Sequence, residues 1–238
     1  MSRSLSVFIP FYNEEHILQG HVLQVYRYLL GLRAPFELFL VDDGSTDSTP
    51  SLCRSLAKKY PRIKYLRFDN GPSRRENLAQ AFRKAKRDIV IYMDCDLAAD
   101  LSSVRDLVEG IRAGHDIVIG SRYKGIKAKR SLYRLAWSKA YNMVVRTLFG
   151  TDFQDHQCGF KAFERKVILS LVQEAGYDET RRRGWFWDAE ILLRAKRGGF
   201  SVLETPVKWE AGQKSSFAFM REIKTLGYML SLLPRLRP

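Results

Sequence analysis

Histidine and cysteine are scarce in this 238-residue chain, at four and three residues, and the scarcity closes several routes. Cys53, Cys95 and Cys158 are odd in number, far apart and without paired metal-type spacing. Neither a disulfide framework nor a zinc site is indicated, and the thiols read as free in a reducing compartment. No stretch of about 18 apolar residues occurs, and the amino-terminal MSRSLSVFIPFYNEE lacks a signal-peptide core. The sequence therefore predicts a soluble or peripheral protein with no transmembrane segment. Internal repeats, low-complexity tracts and Pro/Gly/Ser linkers are also missing, so residues 1–238 read as one catalytic unit.

Another absence is local. Between Asp116 and Asp152 there is no acid, against eight bases: Arg122, Lys124, Lys127, Lys129, Arg130, Arg134, Lys139 and Arg146. Residues 1–120 carry 17 basic and 15 acidic side chains and residues 121–238 carry 23 and 11, so the net +14 divides into +2 and +12. Such a stretch wants an anionic partner. A plain basic run is most simply a solvated face. Here Leu132, Leu135, Trp137, Met143, Val144 and Leu148 interleave with the charges, which points to an anionic membrane surface. Nucleic acid is not expected as a partner, because no nucleic-acid motif accompanies the charge and acids elsewhere would repel a phosphate backbone.

What is present is core material, 45% hydrophobic residues in all. Residues 5–9, 36–41, 63–68, 88–93 and 116–119 are apolar runs of strand length, each followed by polar or turn residues. Helical patterns separate them at 14–31, 47–60, 73–86 and 101–112. The alternation predicts an α/β fold, a doubly wound and mostly parallel sheet with helices on both faces. Beyond residue 120 the pattern predicts a basic amphipathic helix near 131–149, a loop QDHQCGFKAF over 154–163 and a helix near 187–198. A strand near 201–209 and a carboxyl-terminal amphipathic helix near 216–233 follow.

Ligands of such sheets bind outside the carboxyl ends of the strands, and those ends are acidic here. Pro10 to Glu15 follow the first strand, Asp42-Asp43-Gly44-Ser45 the second and Asp94-Cys95-Asp96 the fourth. Two carboxylates one residue apart can share a Mg2+ or Mn2+ that bridges a pyrophosphate leaving group. A D-x-D alone is a weak signal, but its place directly after the buried run IVIYM strengthens it. A haloacid-dehalogenase-type phosphatase also opens on two such acids; it expects Thr where Ala98 stands, and near the start of its fold, so that reading is remote.

The strings FIPFYNEE, LFLVDDGSTDST, IYMDCDL, IGSR and FQDHQCGFKAF, in this order, resemble the inverting GT-A glycosyltransferases, and within them the dolichyl-phosphate or polyprenyl-phosphate sugar synthases. The resemblance covers roughly residues 5 to 210, and five ordered motifs are far more specific than one. It implies a nucleotide-sugar site at Pro10, Tyr12, Asn13, Glu14, Asp42, Asp43, Asp94, Cys95 and Asp96, with Asp94 and Asp96 as metal ligands. Arg122, with Arg130 or Arg134, matches the arginines that hold the acceptor phosphate, a task suited to a bidentate guanidinium, and Lys161 falls in the same group. Asp155, in QDHQCGFK, matches a catalytic position near the donor sugar. Asp188, in WDAE, is the second catalytic candidate, with a helix N-cap as its structural alternative. Two features depart from the family: GPSRRENLAQAF replaces a glycine- and lysine-rich turn, and Ala98 replaces a third metal ligand found in some relatives.

The implied reaction moves a hexose from UDP-glucose or GDP-mannose to a polyprenyl or dolichyl phosphate, with inversion, as in the supply of lipid-linked sugar for protein glycosylation. A soluble site cannot take in a polyprenyl tail, so the enzyme is expected to be cytoplasmic and peripheral on the cytosolic face of the membrane. Residues 1–120 would form the nucleotide-sugar half and 121–238 the basic acceptor and membrane-facing half. A related enzyme acting on a saccharide or other hydroxyl is the alternative; a basic binding module without catalysis is the remote one.

Overall fold

The computed structural model describes residues 3–72, 75–124, 132–177, 183–184, 186–210 and 219–236. Its central strands are apolar on both faces, with side chains alternating between two cores. In β1 (Leu5–Phe11), Leu5, Val7 and Ile9 enter one core and Phe8 the other; in β2 (Phe36–Asp42), Leu38 and Leu40 oppose Phe39 and Val41; in β4 (Ile89–Met93), Ile89 and Ile91 oppose Val90 and Tyr92. Such strands need cover on both sides. Helices α1 (Leu18–Gly31), α2 (Thr49–Lys59) and α4 (Ser103–Arg112) cover the first face. The second is covered by α3 (Arg75–Phe82), α6 (Arg165–Ala175) and α7 (Phe186–Arg197).

With β3 (Ile63–Arg67), β5 (Ile117–Ser121), β6 (Phe160–Glu164) and β7 (Val202–Pro206), the strands form one seven-stranded sheet in the order β3-β2-β1-β4-β6-β5-β7. Only β6 runs antiparallel to its neighbours, β4 and β5. The architecture is the mostly parallel α/β sheet expected. Helices α5 (Leu132–Phe149) and α8 (Phe219–Leu236) join α7 in a third cluster containing Val145, Phe149, Phe186, Leu193, Met229 and Leu232.

Chain order reverses between β1 and β4, and the two part there. Their pairing ends at Phe8↔Tyr92, while β1 continues beside β2 as far as Phe11↔Asp42. Pro10, which has no N–H for a ladder, sits in the stretch of β1 that has left β4. The result is a cleft at the switch point of the sheet, where an open α/β fold binds its ligands.

Several elements differ from the sequence reading. The expected loop over 154–163 becomes strand β6 at Phe160, followed by α6, which the pattern did not reveal. Lys161 hides the strand: it interrupts the apolar alternation, yet in the structure it is 1% exposed. Helix α1 starts at Leu18, not at residue 14: residues 15–17 form a turn in which the Glu14 carbonyl accepts the Ile17 and Leu18 N–H groups, while the Glu14 and Glu15 N–H groups donate to Thr49 Oγ1 and Asp47 Oδ2 and tie the turn to the chain around the start of α2. Strand β3 lies at the sheet edge, and of its residues only Ile63 is buried.

Candidate active site

The turns that leave β1 and β2 are laced into one unit. Asn13, at φ 55°, donates its backbone N–H to Ser45 Oγ at 2.9 Å, and its side-chain oxygen accepts the Thr46 N–H at 2.8 Å. Asp42 shapes the unit from beneath. It is fully buried, with Oδ1 accepting the Ser45 N–H (2.8 Å) and Oδ2 accepting from the Tyr65 hydroxyl (2.6 Å) and Arg67 Nη1 (3.2 Å). Asp43 accepts from Asn77 Nδ2 at 3.0 Å. Gly44 takes φ +81°, and a Cβ on Gly71 would fall 1.5 Å from the Asp43 carbonyl oxygen, so the turn closes only with glycine at both positions. Pro10 is buried within β1, Tyr12 and Glu14 are half-buried at the turn, and Asn13 is exposed.

Across the cleft, β4 ends at the acidic pair. The Asp94 N–H donates to the Gly159 carbonyl at 3.0 Å, and its carboxylate lies so close to Gly159 that a Cβ there would be 1.8 Å from Oδ2. Burial, with the Asp94 carboxylate beside it, raises the Asp96 carboxyl above its ordinary range. Cys95, between them, turns its side chain into the core, and its carbonyl lies 2.8 Å from His21 Nδ1 of α1. Any contact it makes with a ligand is therefore through the backbone. Among the described residues no three His, Cys, Asp or Glu side chains converge. The pair nevertheless fits a divalent cation: two hard oxygen donors side by side, with remaining positions left to a diphosphate and water.

Behind the pair a buried network ties β4 and β6 to α3 and α7 on the second face of the sheet. Asp188, the third residue of α7 and so within its first turn rather than its N-cap, is 2% exposed; its Oδ1 accepts from the Tyr92 hydroxyl and, at 3.0 Å, from Lys161 Nζ, and its Oδ2 lies 3.3 Å from Arg75 Nε. Lys161 also donates to the Tyr92 hydroxyl (2.9 Å) and to the Cys158 carbonyl. Burial raises Asp188 to about 6, against the pull of Arg75, and lowers Lys161 to about 7. The resemblance implies a place for Lys161 among acceptor-phosphate ligands; the structure turns it inward onto Asp188, away from solvent. Lys161→Met is expected to destabilise the fold by about 3 kcal/mol, since it leaves a buried carboxylate short of a partner. Urea unfolding checks this, and an unchanged midpoint would mean that Arg75 and Tyr92 suffice for Asp188.

At the end of β5, Arg122 grips Asp155. Nε and Nη2 donate to its two oxygens at 2.6 Å each, and the Arg122 backbone N–H adds a third bond at 3.0 Å. Burial pushes the fully enclosed Asp155 carboxyl upward, but the charge and hydrogen bonds of Arg122 outweigh it and hold the carboxyl below its ordinary range. Glu204 of β7 fixes the loop by accepting the Gln154 and Asp155 N–H groups at 3.1 and 2.9 Å. His156, also buried, lies 2.8 Å from Asn142 Oδ1 of α5 through Nδ1 and 2.9 Å from Thr151 Oγ1 through Nε2; burial lowers it to about 4, so it is neutral. Arg130 lies outside the described residues, as does the side chain of Arg134.

Because β5 and β4 both run antiparallel to β6, their carboxyl ends share one edge of the sheet, and the 154–159 loop joins Arg122 to Asp94 along it. Of the residues that shape this edge, Arg75, Tyr92, Glu204 and Asn142 carry no motif signal. Each resembles an ordinary core or surface residue until its distant partner is known.

This switch-point cleft, with paired acids at the end of β4, belongs to the GT-A fold of nucleotide-sugar transferases. Glucosyl-3-phosphoglycerate synthase from Mycobacterium tuberculosis, solved with Mn2+, uridine diphosphate and phosphoglyceric acid, shares it with a TM-score of 0.69, covering 99% of this chain and 80% of that one at 17% identity. Residues 6–171 match the model of glycosyl transferase family 2, and the chain belongs to that family. It is 36% identical over 244 residues to glycosyltransferase AglD of Haloferax volcanii, covering 98% of this chain and 38% of that protein. A dolichol-phosphate mannosyltransferase of Pyrococcus furiosus is 34% identical over 85% of this chain and 55% of its own length. The dolichyl-phosphate beta-glucosyltransferase of Saccharomyces cerevisiae is 27% identical over 90% of this chain and 69% of its own length. The chain thus spans well under half of AglD and just over half of the Pyrococcus enzyme.

Proposed function

We propose that this chain transfers a hexose from UDP-glucose or GDP-mannose to a polyprenyl or dolichyl phosphate, inverting the anomeric carbon. The observation that carries the reading is the pairing, on one sheet edge, of an acidic pair suited to a cation and diphosphate with a guanidinium suited to a second phosphate. Relatives named for dolichyl-phosphate glucosyl and mannosyl transfer support it.

In this reading the turn unit of Pro10, Tyr12, Asn13, Glu14, Asp42 and Asp43 takes the nucleoside, with Asp42 acting through the turn it holds. Asp94 and Asp96 would hold Mg2+ or Mn2+, which when bound neutralises the departing nucleoside diphosphate. Arg122 offers its Nη1 end to the acceptor phosphate, since Asp155 occupies the other edge; Arg130 and Arg134, next in the basic stretch, serve the same phosphate. A phosphate oxygen is already ionised at neutral pH and needs little help from a base. Asp155 and Asp188, both buried, therefore act by fixing the cations around the reacting groups. The nucleotide-sugar half is residues 1–120 and the acceptor half 121–238.

Among the described residues no helix is long and apolar enough to cross a membrane. Helix α5 instead exposes Tyr133, Trp137, Met143 and Val144 beside Lys139 and Arg146, the composition of a face that lies on an anionic bilayer, here its cytosolic side. The double substitution Met143→Glu, Val144→Glu is expected to weaken partition onto anionic vesicles by about tenfold or more. Vesicle flotation measures it, and equal recovery of both proteins would end the membrane assignment of α5.

The activity is tested with purified protein, Mn2+ or Mg2+, a short-chain polyprenyl phosphate, and UDP-glucose or GDP-mannose in separate reactions. Metal-dependent lipid-linked sugar from one donor is the expected result. Donor binding with no lipid product would move the acceptor to a hydroxyl.

A further inference from the structure

Arg75, the first residue of α3, lies between two acids with different tasks. Its Nη2 donates to Asp94 Oδ1 at 3.2 Å while its Nε stands 3.3 Å from Asp188 Oδ2. Its side chain is 15% exposed and its guanidinium carbon lies 5.7 Å from the centre of the Tyr92 ring. The cation is therefore held between helix and sheet. Asp94, in contrast, is 47% exposed and faces the cleft. One of the two carboxylates suited to a divalent cation is thus already neutralised by a charge of the chain itself, and arginine does not shed that charge by deprotonation.

We propose that Arg75 is an internal competitor of the metal at Asp94: it holds that carboxylate while the donor site is empty and releases it when a nucleoside diphosphate offers Nη2 a new acceptor. The inference deepens the metal-assisted reading above and rests on it. A divalent cation on Asp94 would sit a few ångströms from the guanidinium, and repulsion at that range in a partly desolvated site changes a binding constant by orders of magnitude. A diphosphate brings negative charge for both cations, so metal and nucleotide would each bind more tightly in the presence of the other. The Nε contact with Asp188 gives the side chain an anchor when Nη2 swings away. With Ala98 supplying no further ligand, the resting site is doubly weak for metal.

The test is titration with Mn2+ alone, followed by the electron paramagnetic resonance of free Mn2+, on the wild type, Arg75→Gln and Arg75→Lys, each then repeated with UDP and with GDP. Arg75→Gln is expected to bind Mn2+ alone about tenfold or more tightly than the wild type, and Arg75→Lys, which keeps the charge, to stay close to the wild type. The nucleotide should strengthen Mn2+ binding far more in the wild type than in Arg75→Gln. Equal or weaker binding of Mn2+ alone by a folded Arg75→Gln overturns the proposal while leaving the metal-assisted reading in place, provided the wild type with nucleotide still binds Mn2+. If Arg75→Gln does not fold, the wild type decides: Mn2+ affinity unmoved by either nucleotide overturns the proposal, and a rise supports it. No Mn2+ binding under any condition removes the metal-assisted reading and the proposal together.

Discussion

Asp94→Asn or Asp96→Asn is expected to cut sugar transfer by about a thousandfold, the rate equivalent of about 4 kcal/mol of transition-state stabilisation. Both asparagines keep the volume and one acceptor oxygen, so Asp94→Asn can still accept from Arg75 and the fold has little reason to change. Stability gives a control of known sign. The Asp96 carboxyl is raised in the folded chain, so its ionisation costs the folded state stability as pH climbs from the unfolded toward the folded value. Asparagine removes that cost, and Asp96→Asn should be no less stable than the wild type at neutral pH. A large loss of turnover with an undiminished urea midpoint is the expected pair of results; turnover within about tenfold of wild type would remove the acids from the chemistry.

Gly159→Ala addresses the same carboxylate from the other side. Its added methyl would fall 1.8 Å from Asp94 Oδ2 and 2.3 Å from Cγ, so the carboxylate has to rotate out of place. The expected consequence is a loss of activity that follows Asp94→Asn, produced by a change at a residue that carries no functional group of its own.

These acids were legible in the sequence because they stand at the end of IVIYM, an apolar run long enough to be a buried strand. The ion pairs that organise the site were not. Tyr92 sits inside IVIYM as an ordinary core residue, and its hydroxyl meets Asp188 only because α7 packs on β4, 96 residues further along. Glu204 occupies a short strand whose residues are mostly half-exposed, yet it holds a loop 50 residues earlier. Lys161 conceals β6 by breaking its apolar alternation, and its charge suggests an anion ligand where the structure has a buried ion pair. A lysine is rarely fully buried unless paired, and its partner is assigned by tertiary packing. Pattern shows where charges leave the core; it does not show which ones return to it.

Arg122→Ala is expected to damage stability and acceptor binding together, and pH separates the two. Removing the guanidinium strands a carboxylate that is 0% exposed, a loss of about 3–5 kcal/mol for a broken buried pair. In the wild type Asp155 is held below its ordinary range, so its contribution is present above the unfolded pKa and fades as pH falls toward the folded one. The deficit of Arg122→Ala should therefore be largest at neutral pH and shrink in acid, as urea midpoints across that range would register. Arg122→Lys keeps the charge but not the fork that meets both Asp155 oxygens, and a raised KM for polyprenyl phosphate at near-normal kcat is expected. Asp155→Asn tells positioning from proton transfer. If Asp155 serves by aiming Arg122, the acceptor KM rises and the pH profile keeps its shape; if it takes a proton from the acceptor, kcat collapses and the acid limb of the profile disappears. Three hydrogen bonds from Arg122 already occupy the Asp155 oxygens, which leaves it poorly placed to receive that proton and favours the first outcome.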